Sequence, residues 1–245
     1  MVVTMLRSLR DLQYYTVTAT NGDVGKVVNF LFDDERWSVR YLVVDTGGLF
    51  NRHEVLVSPI SFSEVERPIR RVHLSLTKEK IENGPSVDSA KTAGASPMCT
   101  AETWTDLEPL SSSPEQPRES YLRSASEVQG YDIQAIDGSI GHVDDFIVED
   151  IDWEVRYLVI DTSNWWFGKK VLVAPQWADQ LSWEDKKVGI GLSQQAIKNS
   201  PEWDSTKNIN REYEAQLYDH YKQPGYWERG SRSQRQSQPS ESDYR

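Results

Sequence analysis

Several acidic residues lie close together in one short stretch of the chain. Among the residues capable of chemistry, their type and spacing are the most similar to those of a reactive site. The stretch holds Asp144, Asp145, Glu149, Asp150, Asp152 and Glu154. Several carboxylate oxygens together are what a hard divalent cation binds. The stretch has no Asp-x-Asp-x-Asp-Gly loop, however, and alternate residues of a strand point to opposite faces of its sheet. We therefore favour a solvated acidic face over a cation site, and predict no metal ligands.

Other residues capable of chemistry are scattered. The four histidines stand singly, without the paired spacing of zinc ligands. The single cysteine, Cys99, excludes an internal disulfide and fits a reducing compartment. No Gly-x-Ser-x-Gly nucleophile elbow occurs, and Gly22-Asp23-Val24-Gly25 is too short and too acidic to cradle a phosphate. We predict that the protein is not an enzyme and has no catalytic residues and no cofactor.

The elements that would position any site are present twice. Residues of the first half return in the second half at a constant offset of 116 positions, as from residue 22 to residue 138. The matched residues are Gly22, Gly25, Trp37, Arg40, Asp45 and Pro59 in the first half and Gly138, Gly141, Trp153, Arg156, Asp161 and Pro175 in the second. Such a gapless period indicates one module copied twice. We call residues 5–85 the first copy and residues 120–202 the second copy.

Each copy has the pattern of a series of short strands. Asn21-Gly22 and Asp137-Gly138 have the composition of hairpin turns, and the residues after each turn alternate in polarity as a strand does. Residues 37–45 and 153–161 are rich in β-branched side chains and form the next predicted strands. So many short strands in so small a module predict an all-β fold of two small β-barrels in tandem, each with a short helix at its end.

The segments outside the two copies differ in composition. Residues 86–119 are rich in Ser, Pro, Thr and Glu, which predicts a flexible, disordered linker. Residues 203–245 form a C-terminal segment with a predicted helix over 211–221 and a disordered tail. The predicted apolar face of that helix comprises Tyr213, Leu217 and Tyr221.

The net charge of −11 is concentrated in the second copy. Residues 121–205 hold 7 Lys and Arg against 15 Asp and Glu, whereas residues 1–85 hold 11 of each kind. An acidic surface repels phosphate backbones and anionic membranes, so no direct binding of nucleic acid is expected. No apolar stretch is long enough to span a bilayer. We expect a cytoplasmic protein with no transmembrane segment, which reaches a membrane only through a partner.

The repeated pattern resembles the PRC-barrel family. It consists of Gly-x-x-Gly-x-Val, an acidic turn, Trp-x-Val-Arg-Tyr-Leu-Val-(Val/Ile)-Asp-Thr and Val-Leu-Val-(Ser/Ala)-Pro. It runs from Gly22 to Pro59 and again from Gly138 to Pro175. The family includes the cytoplasmic barrel of the photosynthetic reaction centre H subunit and the C-terminal domain of a ribosome maturation factor. The resemblance implies a small β-barrel that acts as a non-enzymatic protein-interaction or assembly module in a bacterium.

Two kinds of partner follow from this resemblance. The first is a protein of a membrane complex of the reaction centre H-subunit type. The alternative is a ribosome-associated role in RNA processing or ribosome maturation. The sequence departs from both relatives, because it shows neither the transmembrane helix of the H subunit nor the extra N-terminal domain of the maturation factor.

The loop after each repeated Asp-Thr pair is the candidate interaction site. Its residues are Trp165, Trp166 and Phe167 in the second copy and Leu49 and Phe50 in the first. Three adjacent aromatic side chains cannot all point into a small barrel, and exposed aromatic residues anchor interfaces. Two interpretations stay open. Either these residues pack within the chain, on the other copy, on the C-terminal helix or over a barrel end, or they bind an external partner or a second chain.

The repeated polar residues beside these loops have a structural interpretation. Asp45 and Asp161 are expected to shape turns by accepting hydrogen bonds from the backbone amides that follow them. Arg40 and Arg156 would pair with these aspartates or with the acidic turn before them. We also expect the two copies to pack together or to dimerise, since tethering raises their effective concentration; the alternative is two independent beads.

Overall fold

A computed structural model describes residues 5–47, 52–87, 122–163 and 168–227. The strands are β1 (Leu6–Ser8), β2 (Thr16–Ala19), β3 (Gly22–Asp33), β4 (Ser38–Asp45), β5 (Glu54–Val57), β6 (Phe62–Glu66), β7 (Arg71–Leu74), β8 (Leu122–Ser124), β9 (Asp132–Ala135), β10 (Gly138–Glu149), β11 (Val155–Asp161), β12 (Lys170–Val173), β13 (Ala178–Ser182) and β14 (Lys187–Ile190). The helices are α1 (Leu9–Leu12), α2 (Lys78–Glu82), α3 (Ala125–Val128), α4 (Gln194–Lys198) and α5 (Arg211–His220), with 3-10 turns at Pro59–Ser61 and Pro175–Trp177. Most of the predicted linker and the tail after Trp227 lie outside the described residues.

The strands form two sheets of seven strands each, which confirms the all-β prediction. The order is β5-β4-β3-β2-β7-β6 in one sheet and β12-β11-β10-β9-β14-β13 in the other. The pairs β2–β7 and β9–β14 are parallel. The seventh strand of each sheet comes from the other sequence copy: β8 pairs with β3, and β1 pairs with β10. The two copies therefore exchange their first strands.

The chain divides into two compact units that cut across the sequence copies. One unit comprises residues 1–131 and 143–159, and the other comprises residues 132–142 and 160–245. The strand exchange accounts for this division, because it joins residues 143–159, the second part of β10 and most of β11, to the first copy. Every contact between the two sequence copies described below lies inside the first unit.

The long strand β3 shows how the sequence fills the core. Val27, Phe30 and Phe32 are fully buried, although the first two are three positions apart. Strict alternation would place such side chains on opposite faces. The pairing of β3 with β4 shifts register between Val27 and Asn29, and a bulge of this kind turns the following residues over. Both phenylalanines therefore reach the same core as Val27.

The turns before β4 and β11 depart from the predicted pattern. The strands were expected to begin at the tryptophans, but they begin at Ser38 and Val155. Trp37 and Trp153 instead have positive φ angles of 52° and 59°. This left-handed conformation is uncommon for a bulky residue and is retained only where surrounding contacts hold it.

The helix α5 packs on the second unit through aromatic side chains. The ring of Trp177 lies 5.1 Å from that of Tyr218 and 4.8 Å from that of Tyr221. Leu217 is fully buried. His220 Nε2 lies 2.8 Å from the carbonyl oxygen of Ala196 and ties the end of α5 to α4. Of the predicted face, Leu217 and Tyr221 are buried and Tyr213 is partly exposed, and Tyr218 is buried beside them.

Candidate interaction surface

The first exchanged segment, residues 5–12, crosses onto β10 of the second copy. We call it the first arm, and its contact with β10 the first junction. Arg7 forms an ion pair with Asp150 at 2.8 Å, and both side chains are mostly buried. The Ser8 hydroxyl donates a hydrogen bond to a carboxylate oxygen of Asp145 and also accepts one from the first turn of α1. Ser8 therefore caps its own helix and holds the arm to the strand.

A second set of contacts secures α1. The guanidinium of Arg10 pairs with Asp144 at 2.8 Å, and its backbone N–H donates to Asp145 Oδ1 at 3.0 Å. Leu9 and Leu12 are each only 1% exposed. The arm thus combines apolar burial with charge pairing, the combination that gives a docked peptide both affinity and register.

The second copy repeats this arrangement of an arm and a receiving strand. Its segment 122–128, the second arm, pairs with β3 at the second junction, where Arg123 contacts Asp34 at 3.0 Å. Ser124 caps α3 and accepts a hydrogen bond from Asn29 Nδ2 at 2.8 Å. Each contact is displaced by the repeat offset of 116 residues from its counterpart at the first junction. The chain therefore contains an internal pseudo-twofold pair of junctions.

A pair of backbone hydrogen bonds joins the two copies at the strained turns. Val39 N–H donates to the carbonyl of Trp153 at 2.8 Å, and Val155 N–H donates to the carbonyl of Trp37 at 2.6 Å. These four residues are equivalent in pairs, so the contact is reciprocal. Two hydrogen bonds from the partner copy account for the persistence of the positive φ angles.

Aromatic rings reinforce this contact unequally. Phe32 stacks on Trp37 at 5.5 Å between centroids and also meets Phe146 of the second copy at 5.4 Å. Trp153 packs instead on Phe62, at 4.6 Å. Ring pairs at these distances contribute about 0.5–1.5 kcal/mol beyond their buried area. The pairing of the copies is thus symmetric in its backbone and asymmetric in its side chains.

The acidic stretch is largely occupied by arginine. Arg156 contacts Glu149, Asp152 at 2.9 Å and Glu154 at 2.5 Å. Its side chain is only 15% exposed. Burial, with help from the charges of Asp152 and Glu149, raises the pKa of Glu154 despite the guanidinium. With Asp144, Asp145 and Asp150 engaged by the first arm, this stretch serves to connect the two copies.

The equivalent turn of the first copy is held by weaker contacts with its arginine. Asp33 is 3% exposed, and its Oδ1 accepts the backbone N–H groups of Glu35 at 3.0 Å and Arg36 at 3.1 Å. Arg40 reaches its other oxygen at 3.3 Å, with a side chain that is 42% exposed. Both repeated arginines thus contact the acidic turn before their strand.

Comparison with known families fits the geometry of the second copy. Residues 122–189 match the PRC-barrel domain. The second copy is a PRC-barrel domain. The match begins at the second arm, so the segment that crosses to the other copy belongs to the PRC-barrel domain itself. A search of curated proteins gave no match.

Each copy holds the neck of its Asp-Thr loop. Asp45 Oδ1 accepts the backbone N–H of Gly47 at 3.0 Å, and Asp161 Oδ1 accepts that of Ser163 at 2.8 Å. Across each neck, a threonine N–H donates to the carbonyl of the residue 7 positions later, at 2.8 Å in the first copy and 3.0 Å in the second. The aspartates therefore fix where each loop leaves the sheet.

The five candidate docking residues stay a prediction. Trp165, Trp166, Phe167, Leu49 and Phe50 lie outside the described residues. The neck of the second loop is also tied to the C-terminal half of its unit, because Lys169 Nζ donates to the carbonyl of Ser200 at 2.5 Å. The neck of the first loop carries Arg52, which lies 3.6 Å from Asp45. Both loops thus start and end at defined points.

The repeated glycines beside these necks are explained by close approach. A Cβ atom on Gly25 would lie 2.2 Å from the carbonyl oxygen of Asp45, and one on Gly141 would lie 2.0 Å from that of Asp161. Backbone atoms cannot yield at such distances. Glycine at these two positions lets the strand pass against the residue that shapes the loop.

The C-terminal helix adds an aromatic cluster to the PRC-barrel domain. Arg211 lies over the rings of Tyr226 and Trp227, at 5.2 and 4.4 Å from their centroids. Tyr226 donates a hydrogen bond to the nearly buried Glu214 at 3.0 Å. Burial raises the pKa values of Tyr213 and Tyr226 to about 12. These tyrosines are neutral packing groups at physiological pH.

The exchanged arms were missed by sequence reasoning, although a signal was present. Leu6-Arg7-Ser8 recurs as Leu122-Arg123-Ser124 at the same offset as the other repeated residues. That identity marks the two segments as equivalent. It does not reveal that each segment pairs with the other copy.

Among the described residues, no helix combines the length and apolar composition needed to cross a membrane.

Proposed function

We propose that this protein is a non-enzymatic assembly module in which two PRC-barrel repeats form one scaffold that binds another protein. The observation that carries the proposal is the use made of the buried charged groups. Asp145 and Asp150, whose burial and charge would suit a reactive site, are engaged in contacts that join one copy to the other. Arg156 is engaged with the acidic turn of its own copy. Charged groups committed in this way stabilise an assembly and are not available for proton transfer.

The PRC-barrel match supports the same interpretation, because it suggests a module for protein interaction or assembly. For the partner, we favour a protein of a membrane complex, which the chain would bind peripherally from the cytoplasm. This choice rests on the resemblance of both repeats to the reaction centre H-subunit barrel. An acidic scaffold with net charge −11 would approach such a membrane through its protein partner.

The binding element we assign to this function is the loop after each Asp-Thr pair. The necks are fixed by Asp45 and Asp161, as a binding loop on a rigid scaffold requires. The second loop combines three adjacent aromatic residues with Lys169 and Lys170. Aromatic and cationic groups together are typical of residues that dominate interface energies.

Chemical cross-linking in the native cells, followed by mass spectrometry, tests the proposal. We expect cross-links from Lys169 and Lys170 to a subunit of a membrane complex, and their loss in the variant Trp165→Ala/Trp166→Ala. The matched control is Leu49→Ala/Phe50→Ala, which should reduce the cross-links less. Cross-links confined to proteins of the small ribosomal subunit would contradict the choice of partner and favour the ribosomal alternative.

A further inference from the structure

The first arm is held to its own copy through a strained hinge. Tyr14, between the arm and β2, has a φ angle of 66° and a side chain that is 68% exposed. The equivalent residue after the second arm is Gly130, with a φ angle of 93°. Both hinges make the same backbone hydrogen bond, from Tyr14 to Val27 at 2.7 Å and from Gly130 to Val143 at 2.8 Å. Only the first hinge places a side chain in the left-handed region, which glycine enters without cost.

The side-chain hydrogen bonds between the first arm and the first copy are at least partly exposed. Asp11 accepts hydrogen bonds from Tyr15 and Arg67 at 3.2 Å each. The Arg67–Asp11 pair is about half exposed on both sides, and exposed pairs contribute little. The arm's buried polar contacts, through Arg7 and Ser8, are made to β10 and to Asp150 directly after it.

The surface of β10 that receives the arm is complementary in charge. Asp144 and Asp150 each take one arginine of the arm, and Asp145 takes its serine. The second junction has Asn29 in place of Asp145, and Ser126 stands where the first arm has Arg10. The first junction is therefore the more strongly charged of the two. Its receiving strand, β10, belongs wholly to the second copy.

We propose that the first arm exchanges between molecules: released at Tyr14, it docks on β10 of a second copy of this chain and joins two chains through the first junction. An arm on a strained hinge with a complete receiving surface elsewhere is the arrangement that supports domain swapping. The occupant is a second copy because the surface fits Leu-Arg-Ser followed by a capped turn with arginine. This inference concerns contact between copies of the chain and does not depend on the partner proposed above.

Engineered disulfides at the two junctions test the exchange. Leu6 faces Glu149, and the equivalent pair is Leu122 and Asp33. Asp150 N–H donates to the Met5 carbonyl at 3.1 Å, so the neighbouring pair Leu6–Glu149 is not hydrogen-bonded. The Cα atoms of such a pair lie about 4.5 Å apart, within the range of a disulfide. All chains carry Cys99→Ser to remove the native thiol.

Chains with Leu6→Cys alone are mixed with chains carrying Glu149→Cys alone and allowed to oxidise. We expect a disulfide-linked product of twice the 28.1 kDa chain mass, which forms faster at higher protein concentration. The matched mixture of Leu122→Cys and Asp33→Cys chains should form it roughly tenfold more slowly, because its hinge is relaxed. A chain with both Leu6→Cys and Glu149→Cys should close internally and stay monomeric.

Three results would overturn the proposal. The first is the absence of a linked product at the first junction when the double variant closes internally. The second is equal rates at both junctions, which would mean that whole copies exchange through the linker. The third is an unchanged rate after Tyr14→Gly, which should slow linking at the first junction to about the rate of the second.

Discussion

Asn29 and Asp145 occupy equivalent positions in the two copies and hold the two arms in the same way, one with an amide and the other with a buried carboxylate. Asn29 Oδ1 accepts the backbone N–H groups of Ser126 at 3.2 Å and Phe30 at 2.8 Å. Asp145 Oδ1 accepts those of Arg10 at 3.0 Å and Phe146 at 2.7 Å. A neutral side chain thus satisfies the geometry that Asp145 satisfies with a charge.

This relationship predicts a pH dependence at the first junction alone. Burial raises the pKa of Asp145, against the hydrogen bonds from Ser8 and the backbone and the charge of Arg10. Arg10 is itself shared with Asp144. The folded protein therefore binds this proton more tightly than the unfolded chain. The stabilisation that comes from binding this proton is complete below the ordinary pKa of 3.8. It is lost as the pH rises through the raised pKa of Asp145.

The test compares Asp145→Asn with the wild type by chemical denaturation between pH 4 and pH 8. We expect the free energy of unfolding of the variant to exceed that of the wild type increasingly as the pH rises, by about 1.4 kcal/mol per unit of raised pKa. The reverse change, Asn29→Asp, should add a similar dependence at the second junction. Parallel curves for wild type and Asp145→Asn would show that the carboxylate is not destabilised.

The close approach of two glycines predicts a graded loss of stability. Gly25→Ala introduces a clash with the Asp45 carbonyl, and Gly141→Ala adds to its clash a φ angle of 72°. Gly22→Ala has a φ angle of 136° and no neighbour within 4 Å, so it isolates the effect of conformation. We expect losses of about 1–3 kcal/mol for Gly25→Ala and more for Gly141→Ala. Thermal unfolding measures them; equal losses for Gly22→Ala and Gly141→Ala would refute the role of the contact.

The repeated arginines should differ in importance. Arg156→Met removes the guanidinium that Glu149, Asp152 and Glu154 share, and the side chain of Glu149 is only 13% exposed. Losing one partner of a buried pair costs about 3–5 kcal/mol. Arg40→Met removes one contact at 3.3 Å from a guanidinium that is 42% exposed, and the buried Asp33 keeps its two backbone hydrogen bonds, so the loss should be smaller, about 1 kcal/mol. Urea denaturation of both variants decides the point, and similar losses would show that the contacts of Arg156 carry no extra stability.

The aromatic loop of the second copy is predicted to bind without contributing to the fold. Trp165→Ala/Trp166→Ala should weaken association by about 2–4 kcal/mol if these residues anchor an interface. A change confined to the surface alters stability by about 0.5 kcal/mol or less. The melting temperature and the affinity for the partner identified by cross-linking are measured on the same preparation. Unfolding of the variant would place the tryptophans in the core and exclude the docking role.

Most of the strand pattern was accessible from the sequence, because alternation and turn composition are local. Asn21-Gly22 marks the start of β3, and Asp45 marks the end of β4. The strands β6 and β13 were overlooked, since Phe62–Glu66 alternates over only five residues and is mostly polar. Trp37 was placed in a strand because nothing in its type indicates a left-handed turn, which contacts with the other copy maintain.

The exchange of the arms could not be predicted, for a different physical reason. A Leu-Arg-Ser segment finds an equivalent strand, with an aspartate for its arginine at Asp34 or Asp150, whether it folds back on its own copy or crosses to the other. The choice depends on the backbone at Tyr14 and Gly130, and a sequence does not display the φ angle of a tyrosine. The carboxylates that receive the first arm were noticed as a cluster, and only the fold shows that their cations come from 130 or more residues away.

The presence of both reciprocal junctions in one chain also affects how the molecule can change by mutation. In a dimer of identical subunits every substitution appears at both symmetric sites, so a change that helps one site is imposed on the other. Here each junction is encoded separately, and a mutation at one leaves its counterpart untouched. Asn29 opposite Asp145, and Tyr14 opposite Gly130, are pairs that a symmetric dimer could not encode. Joining the two copies in a single chain therefore allows mutations to make one junction more stable and the other more responsive to its conditions.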